Sequence, residues 1–452
     1  MPKVIKIKKG LDIKLKGAAE KVCVSADKAN LFAVKPPDFV GLTPKMLVKP
    51  EELVKAGTPL FFDKYHPEVK FTSPVSGVVK SVNRGERRRI LEVVVEAADK
   101  QEFVSFEKGD PATMASEKIK ETLLESGLWP TLVQRPYGVV ADPSIKPKAI
   151  YISGFDTAPL APDYDLILND QDKSFAVGIE ALKKLTEGKI HLGLKSGYPV
   201  SSAYADLSGV EYHFFTGPHP TGNVGIQINR INPINKGDIV WTINPQHVCL
   251  LGKLFTEGKL LTEIVVALAG SKVDKPKYYR TNLGASINSL VAGKYSEGDL
   301  PARIISGNVL TGAKLASDGY LGFFDSLISV IPEGNYYELF GWALPGLNKF
   351  SNSRTFLSWL MPNKKWDIDT NLKGGKRAFV MTGEYEKVLP MDILPVHLLK
   401  AILVEDIDKM EQLGIYELLE EDLALCEFVC TTKNDVQDIL RNGLDLMRRE
   451  MS

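Results

Sequence analysis

The chain is 452 residues long, about three times the usual ~150-residue domain, which predicts two to four domains, each large enough to bury its own core. Apolar residues make up 44% and charged residues 25%, ordinary globular values that exclude long disorder, a collagen-like repeat or a coiled-coil rod. Lysine plus arginine (56) balances aspartate plus glutamate (56), so no global field draws in nucleic acid or an anionic membrane, and no nucleic-acid partner is expected.

The N-terminus alternates, with Ile5 and Ile7 opposite Lys6 and Lys8, then Ile13 and Leu15 opposite Lys14 and Lys16 across a turn at Lys9-Gly10. This is strand periodicity with one wet face. Strand-like runs and turn signals continue through Ser73-Pro74-Val75-Ser76-Gly77-Val78-Val79 and Ile90 to Val95, which predicts a β-rich domain over 1–105. A helix is predicted from Ala112 to Glu125, ending near Gly127, followed by a proline-rich linker through Pro147. Next come a buried-strand run at Ala149 to Ile152 and a second apolar run at Leu166 to Leu168. A helix follows with Ala176, Ile179, Leu182 and Leu185 on one face, and then a strand alternating at Ile190, Leu192 and Leu194. Strand, helix and strand in this order predict a mostly parallel sheet and an α/β domain over 106–255. Regularly spaced glycines over 256–372 predict short strands with tight turns. Beyond that, 373–452 reads as helical, with Leu399, Leu403, Ile407, Met410 and Leu413 on one helix capped by Gly414. A last helix is expected to start near Thr432, with Asp435 in capping-box position.

Four cysteines (Cys23, Cys249, Cys426, Cys430) and no signal-like apolar run after Met1 fit a reducing, cytoplasmic compartment. The longest apolar stretches, such as Ile264 to Ala269, fall far short of the ~20 residues of a spanning helix, so no transmembrane segment is predicted. The charge is uneven along the chain. Residues 1–21 carry seven lysines against Asp12 and Glu20, and 405–422 carry eight acidic residues against Lys409, which reads as two solvated faces or as an electrostatic dock.

Neither G-x-G-x-x-G after the 149–152 run nor G-x-x-x-x-G-K-[ST] occurs, so the two common backbone cradles for phosphate are missing. The six histidines are scattered, and His213 and His219, the closest pair in sequence, read as loop or edge-strand residues rather than metal ligands. Cys426 and Cys430 lie four apart among Leu423, Leu425, Phe428 and Val429, which predicts two buried small groups. Gly217 to Gly225, with His219 near its start, follows a strand-like Tyr212 to Phe215. It reads either as a structural turn or as a ligand loop at the carboxyl end of a parallel strand. Tyr336, Tyr337, Phe340 and Trp342 place four aromatics in seven residues, with Glu338, Lys349, Phe350 and Arg354 nearby. Such a cluster suits core packing, a protein interface or a flat quinone ring.

Several segments in order resemble one family. They are Thr72-Ser73-Pro74-Val75-Ser76-Gly77, Pro218-His219-Pro220-Thr221-Gly222, Val240-Trp241-Thr242-Ile243-Asn244, Gly252-Lys253-Leu254-Phe255, Arg280-Thr281-Asn282-Leu283-Gly284-Ala285, Ile305 to Gly312 and Glu338-Leu339-Phe340-Gly341-Trp342. Together they resemble the A-subunit family of the sodium-translocating NADH:quinone oxidoreductase, over nearly the whole chain. The resemblance implies an α+β multidomain fold: a carrier-like β-rich domain (1–105), a Rossmann-like α/β domain without a glycine-rich loop (106–255), a β-grasp-like domain (256–372) and a small helical domain (373–452). It also implies a peripheral subunit on the cytoplasmic side of the bacterial inner membrane, in a complex that oxidises NADH, reduces quinone and exports Na⁺.

The family is similar to the C subunit of Rnf-type complexes and to the flavin-binding subunit of respiratory complex I. Where those relatives carry a glycine-rich loop for FMN and NADH, this chain reads Glu125-Ser126-Gly127-Leu128-Trp129-Pro130-Thr131. Leu128 and Trp129 stand where backbone N–H groups would approach a phosphate, so no flavin or NADH is expected here. The helical domain resembles a cluster-binding domain that has lost its cysteines, and the carrier-like domain has no lysine at a tight hairpin tip. The expectation is a cofactor-free subunit with no redox activity of its own, docking on membrane subunits that include the flavin-bearing B subunit. Flavins and iron–sulfur centres would sit on other chains. Quinone is a candidate ligand, and His219, Tyr336, Tyr337, Glu338, Phe340, Trp342, Lys349 and Phe350 are the candidate quinone or interface contacts. The rival readings are a soluble flavin-dependent NADH dehydrogenase and a carrier protein for lipoate or biotin.

Overall fold

The computed structural model describes residues 3–341 and 346–451. It is a multidomain α+β protein built on four sheets. A seven-stranded sheet runs in the spatial order Val4–Lys6, Val210–Thr216, Lys189–Lys195, Ala149–Ser153, Val240–Thr242, Val133–Arg135 and Val139–Val140. The first five strands are parallel and the last two antiparallel. The helices Asp172–Lys183 and Val224–Ile231 follow strands of this sheet, as the alternation of periods predicts.

One face of the sheet, with Ile150, Ile152, Ile190, Leu192 and Trp241, packs against Asp172–Lys183 and Pro245–Glu257 in the main core. The opposite face presents Ala149, Tyr151 and Val240 to a second core built from the C-terminal helices Pro395–Leu403, Ile407–Gln412, Glu420–Val429 and Val436–Met451. A parallel sheet must be covered on both sides, and here the helical segment supplies the second layer.

The remaining sheets lie outside the α/β layer. A four-stranded sheet (Leu31–Val34, Ile90–Ala97, Gly77–Arg84, Leu53–Val54) and a three-stranded one (Pro44–Met46, Pro59–Asp63, Lys70–Thr72) form the N-terminal β unit. A six-stranded sheet joins Ala313–Leu315, Ala302–Ser306, Leu327–Pro332, Glu263–Ala269, Lys277–Asn282 and Cys23–Ser25.

Three local expectations are corrected. The alternating N-terminal segment does form a strand, but Val4–Lys6 extends the α/β sheet beside Val210–Thr216, and Cys23–Ser25 pairs with Lys277–Asn282. Val4–Lys6 and Cys23–Ser25 thus lie outside the N-terminal β unit and lace the other two sheets. The single helix expected through Leu399 and Leu413 is two helices. Glu405 takes a positive φ of 55°, and the Asp406 carboxylate accepts from the Lys409 N–H as the N-cap of the second, so a local cap overrides the apolar stripe. The last helix starts at Val436, because Thr432 bonds to Cys430 and Asn434, and Asp435 pairs with Lys376 instead of capping.

The helices Asp172–Lys183 and Pro245–Glu257 touch at two glycines. A Cβ on Gly252 would sit 1.8 Å from the Ser174 carbonyl oxygen, and one on Gly178 would sit 2.1 Å from the Val248 carbonyl. Gly252→Ala should therefore push the helices apart and cost about 2–4 kcal/mol of stability. A denaturant melt checks this, and an unchanged midpoint would show that the crossing is loose.

Candidate functional site

Successive strands of the α/β sheet are added on one side of Ala149–Ser153, and Val240–Thr242 then pairs on its other side. The point where the order reverses is where open α/β sheets hold ligands, outside the carboxyl ends of the strands. A cavity of ≈ 310 Å³ lies there. Ser153, Phe155 and Asp156 reach it from one strand, and Thr242 and Asn244 from the other. The Gly217–Gly225 loop contributes His219, Gly222 and Asn223, the helical layer Glu421, and the third domain Asn308, Thr311 and Phe324. The loop is therefore both a structural turn and a cavity wall.

Under the cavity, Arg135 is fully buried and held by two acidic side chains. Its Nη1 donates to Asp422 Oδ2 at 3.0 Å and its Nη2 to Glu421. Asp422 Oδ2 also accepts from the Leu419 N–H at 3.0 Å, which closes the start of the Glu420–Val429 helix. The pair reaches the sheet only because residue 225 is glycine. A Cβ there would lie 2.4 Å from Asp422 Oδ2 and 2.5 Å from Arg135 Nη1. Burial raises the Glu421 carboxyl above its usual range against the opposing pull of Arg135, and burial likewise raises Asp156. Part of the acidic run at 405–422, expected to be a solvated face or a dock, is instead engaged inside the protein: Asp422 is buried against Arg135, while the partly exposed Glu421 and Glu420 pair with Arg135 and Arg441.

His219 is buried in the cavity wall. Thr157 Oγ1 accepts from the Gly222 N–H at 2.9 Å and lies 3.1 Å from His219 Nδ1. A hydroxyl proton pointed at Nδ1 would put the ring proton on Nε2. The His219 N–H donates to Asp12 and its carbonyl accepts from Leu11, so the N-terminal segment fixes the loop.

The remaining sequence candidates lie elsewhere, and none of the described ones lines this cavity. Tyr336 donates to Asp369 at 2.6 Å, and Glu338 is ion-paired to Lys349 at 2.6 Å. Phe350 packs against Trp366 and Phe428, whereas Tyr337, Leu339 and Phe340 are exposed. Trp342 lies outside the described residues. Exposed Leu347, Leu357, Trp359 and Leu360 extend the apolar run.

Cys426 and Cys430 are both buried, but Cys430 is not simply an apolar filler. Its sulfur faces the Tyr385 hydroxyl at 2.9 Å, the Thr432 hydroxyl at 3.3 Å and the Asn434 N–H at 3.4 Å. Burial pushes the Cys430 thiol up, but these contacts hold it below its ordinary value, whereas burial raises Cys426.

The segment 125–131 does not offer a phosphate cradle. Leu128 and Trp129 are buried, Trp129 Nε1 donates to the Ala141 carbonyl, and the indole meets Trp241 edge-on. The N–H groups of Thr131 and Leu132 are spent on Leu128 and Trp129 carbonyls. Among the described lining residues Arg135 is the fixed cation, already held by two acidic partners, so it is not free to grip a flavin phosphate. These residues do not fit a flavin.

Sequence reasoning misses Asp156, Arg135, Glu421 and Asp422. Asp156 carries a signal, since it lies just past a buried strand. The Arg135–Asp422 contact spans 287 residues and leaves no local pattern.

Two consequences are measurable. Arg135→Met leaves Asp422 buried without its partner and should cost about 3–5 kcal/mol, read from a denaturant midpoint. Burial pulls His219 from 6.5 to about 4, so the unfolded chain takes up this proton first and stability falls as pH drops from 6.5 towards 4. His219→Gln should flatten that fall by up to about 3 kcal/mol relative to the parent. Parallel melts at several pH values check it, and the difference from the parent separates the imidazole from the oppositely shifted carboxyls.

Comparison with known proteins covers most of the chain. Residues 5–98 match the family described as "NqrA N-terminal barrel-sandwich hybrid domain", 114–260 the "NqrA second alpha/beta domain" and 265–317 the "NQRA C-terminal domain". The chain is 42% identical over 450 residues to the A subunit of the Na(+)-translocating NADH-quinone reductase of Yersinia pestis (strain Angola), covering 99% of this chain and 100% of that protein. It is 41% identical to the same subunit of Photorhabdus laumondii and 42% identical to that of Neisseria gonorrhoeae (strain FA 1090), again over 99% of this chain and 100% of each relative. With this identity sustained from end to end, the chain belongs to the A-subunit family of the Na(+)-translocating NADH-quinone reductase.

Proposed function

We propose that this chain is the peripheral A subunit of a Na⁺-translocating NADH:quinone reductase. It sits on the cytoplasmic side of the bacterial inner membrane, docks on the flavin-bearing B subunit in the membrane and supports the quinone-reducing region. It works without a flavin, iron–sulfur centre or NADH of its own, and electrons reach quinone through cofactors on neighbouring chains. The observation that carries the docking role is the run of exposed apolar side chains at Tyr337, Leu339, Phe340, Leu347, Trp359 and Leu360. No helix among the described residues is long and apolar enough to cross a membrane. A run of this kind on such a chain calls for a partner to cover it.

The N-terminal β unit reads as a carrier-like sandwich used structurally. The α/β domain reads as a Rossmann-like frame whose phosphate loop is filled by Leu128 and Trp129, and the helical layer as a cluster-binding domain without its cysteines. The cavity at the strand ends supports a quinone contact. Phe155, Tyr164 and Phe324 offer flat apolar surface, and a reduced quinone must collect protons. Asp156, with its carboxyl group raised by burial, is the acid placed to supply them. His219 would orient the ring oxygen through its Nε2–H.

Leu339→Glu combined with Phe340→Glu should abolish co-purification with the membrane subunits in mild detergent, while the isolated chain keeps the parent's melting temperature. A variant that still assembles would remove this surface from the docking face, and one that unfolds would make the segment core.

A further inference from the structure

The parallel pairing of Lys189–Lys195 with Val210–Thr216 brings His191 to two side chains that lie some twenty residues away in the sequence. His191 stands opposite Glu211, and His213 lies two residues further along the same strand face. His191 Nδ1 is 2.9 Å from His213 Nε2 and 3.4 Å from Glu211 Oε2, and the ligand atoms of all three lie within 4.8 Å of one another. His213 thus finds its partner across the sheet in His191 rather than along the chain in His219.

We propose that His191, Glu211 and His213 form a binding site for a divalent transition ion of the zinc class, on the sheet face shared with Tyr151. Ligands around a tetrahedral zinc ion with bonds of about 2.0–2.1 Å stand roughly 3.3 Å apart, and the two measured separations fall on either side of that value. Two imidazoles and one carboxylate are a donor set for zinc, cobalt or nickel, and they are wrong for sodium, magnesium or calcium, which take oxygen ligands.

The surroundings support the geometry. His191 is buried, and its ring lies flat on Tyr151, with centroids 4.6 Å apart and planes 20° from parallel, so its orientation is fixed before an ion arrives. His213 and Glu211 are only partly buried, which leaves the fourth coordination position an approach from solvent. An ion that takes a lone pair from each facing nitrogen needs each neutral ring to carry its proton on the far nitrogen, a tautomer open to both. Lys189 pairs with the other oxygen of Glu211 and competes with the ion for the carboxylate. The bound ion would clip the two strands together next to the edge strand Val4–Lys6.

The test uses the full, tag-free chain stripped with a chelator and titrated with Co²⁺ and Zn²⁺. The proposal predicts one ion per chain, a tetrahedral Co²⁺ absorption band and, with zinc in hundredfold excess over its dissociation constant, a melting temperature raised by roughly 3–5 °C. Glu211→Gln and His213→Gln should each weaken binding at least tenfold, and Lys189→Ala should tighten it a few-fold by freeing the carboxylate. Absence of the tetrahedral band, or affinity unchanged in both ligand variants, overturns the proposal. If His213→Gln fails to fold, Glu211→Gln, at a partly exposed position, decides the question.

Discussion

The contact on which most of the architecture depends is the buried Arg135–Asp422 pair with Glu421 at its side. The guanidinium and the Asp422 carboxylate, taken out of water together with Glu421 partly exposed beside them, hold only where geometry is tight, because either buried charge left alone would cost several kcal/mol. Here the geometry joins three parts of the chain. Arg135 ends an antiparallel strand of the α/β sheet, Asp422 closes the first turn of a C-terminal helix, and Gly225 opens the space between them at the start of Val224–Ile231. The helical layer that covers the second face of the sheet is registered on that sheet by this cluster.

The same cluster shapes the cavity at the carboxyl ends of the strands. It takes up the positive charge that a nucleotide phosphate would need and leaves raised carboxyl groups facing the space. Leu128 and Trp129 are turned into the core, so the segment 125–131 presents no open backbone cradle to the cavity. A polar, acid-lined recess with aromatic walls suits a neutral ring that accepts protons better than a dianionic cofactor. Cavity and exposed apolar run lie apart, so in the proposed function they would serve separate tasks.

Much of this is legible in the sequence where the signal is local. The parallel sheet follows from the strand and helix periods between Ala149 and Leu194, and Gly127 ends its helix in the left-handed conformation as a C-cap glycine should. The 217–225 loop stands at a strand end because turn formers follow a strand run directly. What stays hidden depends on pairing between distant segments. Periodicity gives Val4–Lys6 a strand but not its partner 210 residues later, and nothing near His191 announces His213 on the neighbouring strand. The break at Glu405 is masked because an apolar stripe at helical spacing continues through it, while the cap at Asp406 decides the backbone. Grouping His219 with the aromatic segment follows chemistry alone, and the fold separates them.

On the proposed reading, docking without a redox cofactor of its own is what would set this chain apart from a dehydrogenase. The decisive experiment is a mild-detergent purification of the chain from its native membranes, with flavin and iron assigned chain by chain. Flavin-bearing membrane subunits are expected to come down with it while this chain carries neither flavin nor iron. Recovery of the chain by itself, yellow with bound flavin, would contradict the docking role.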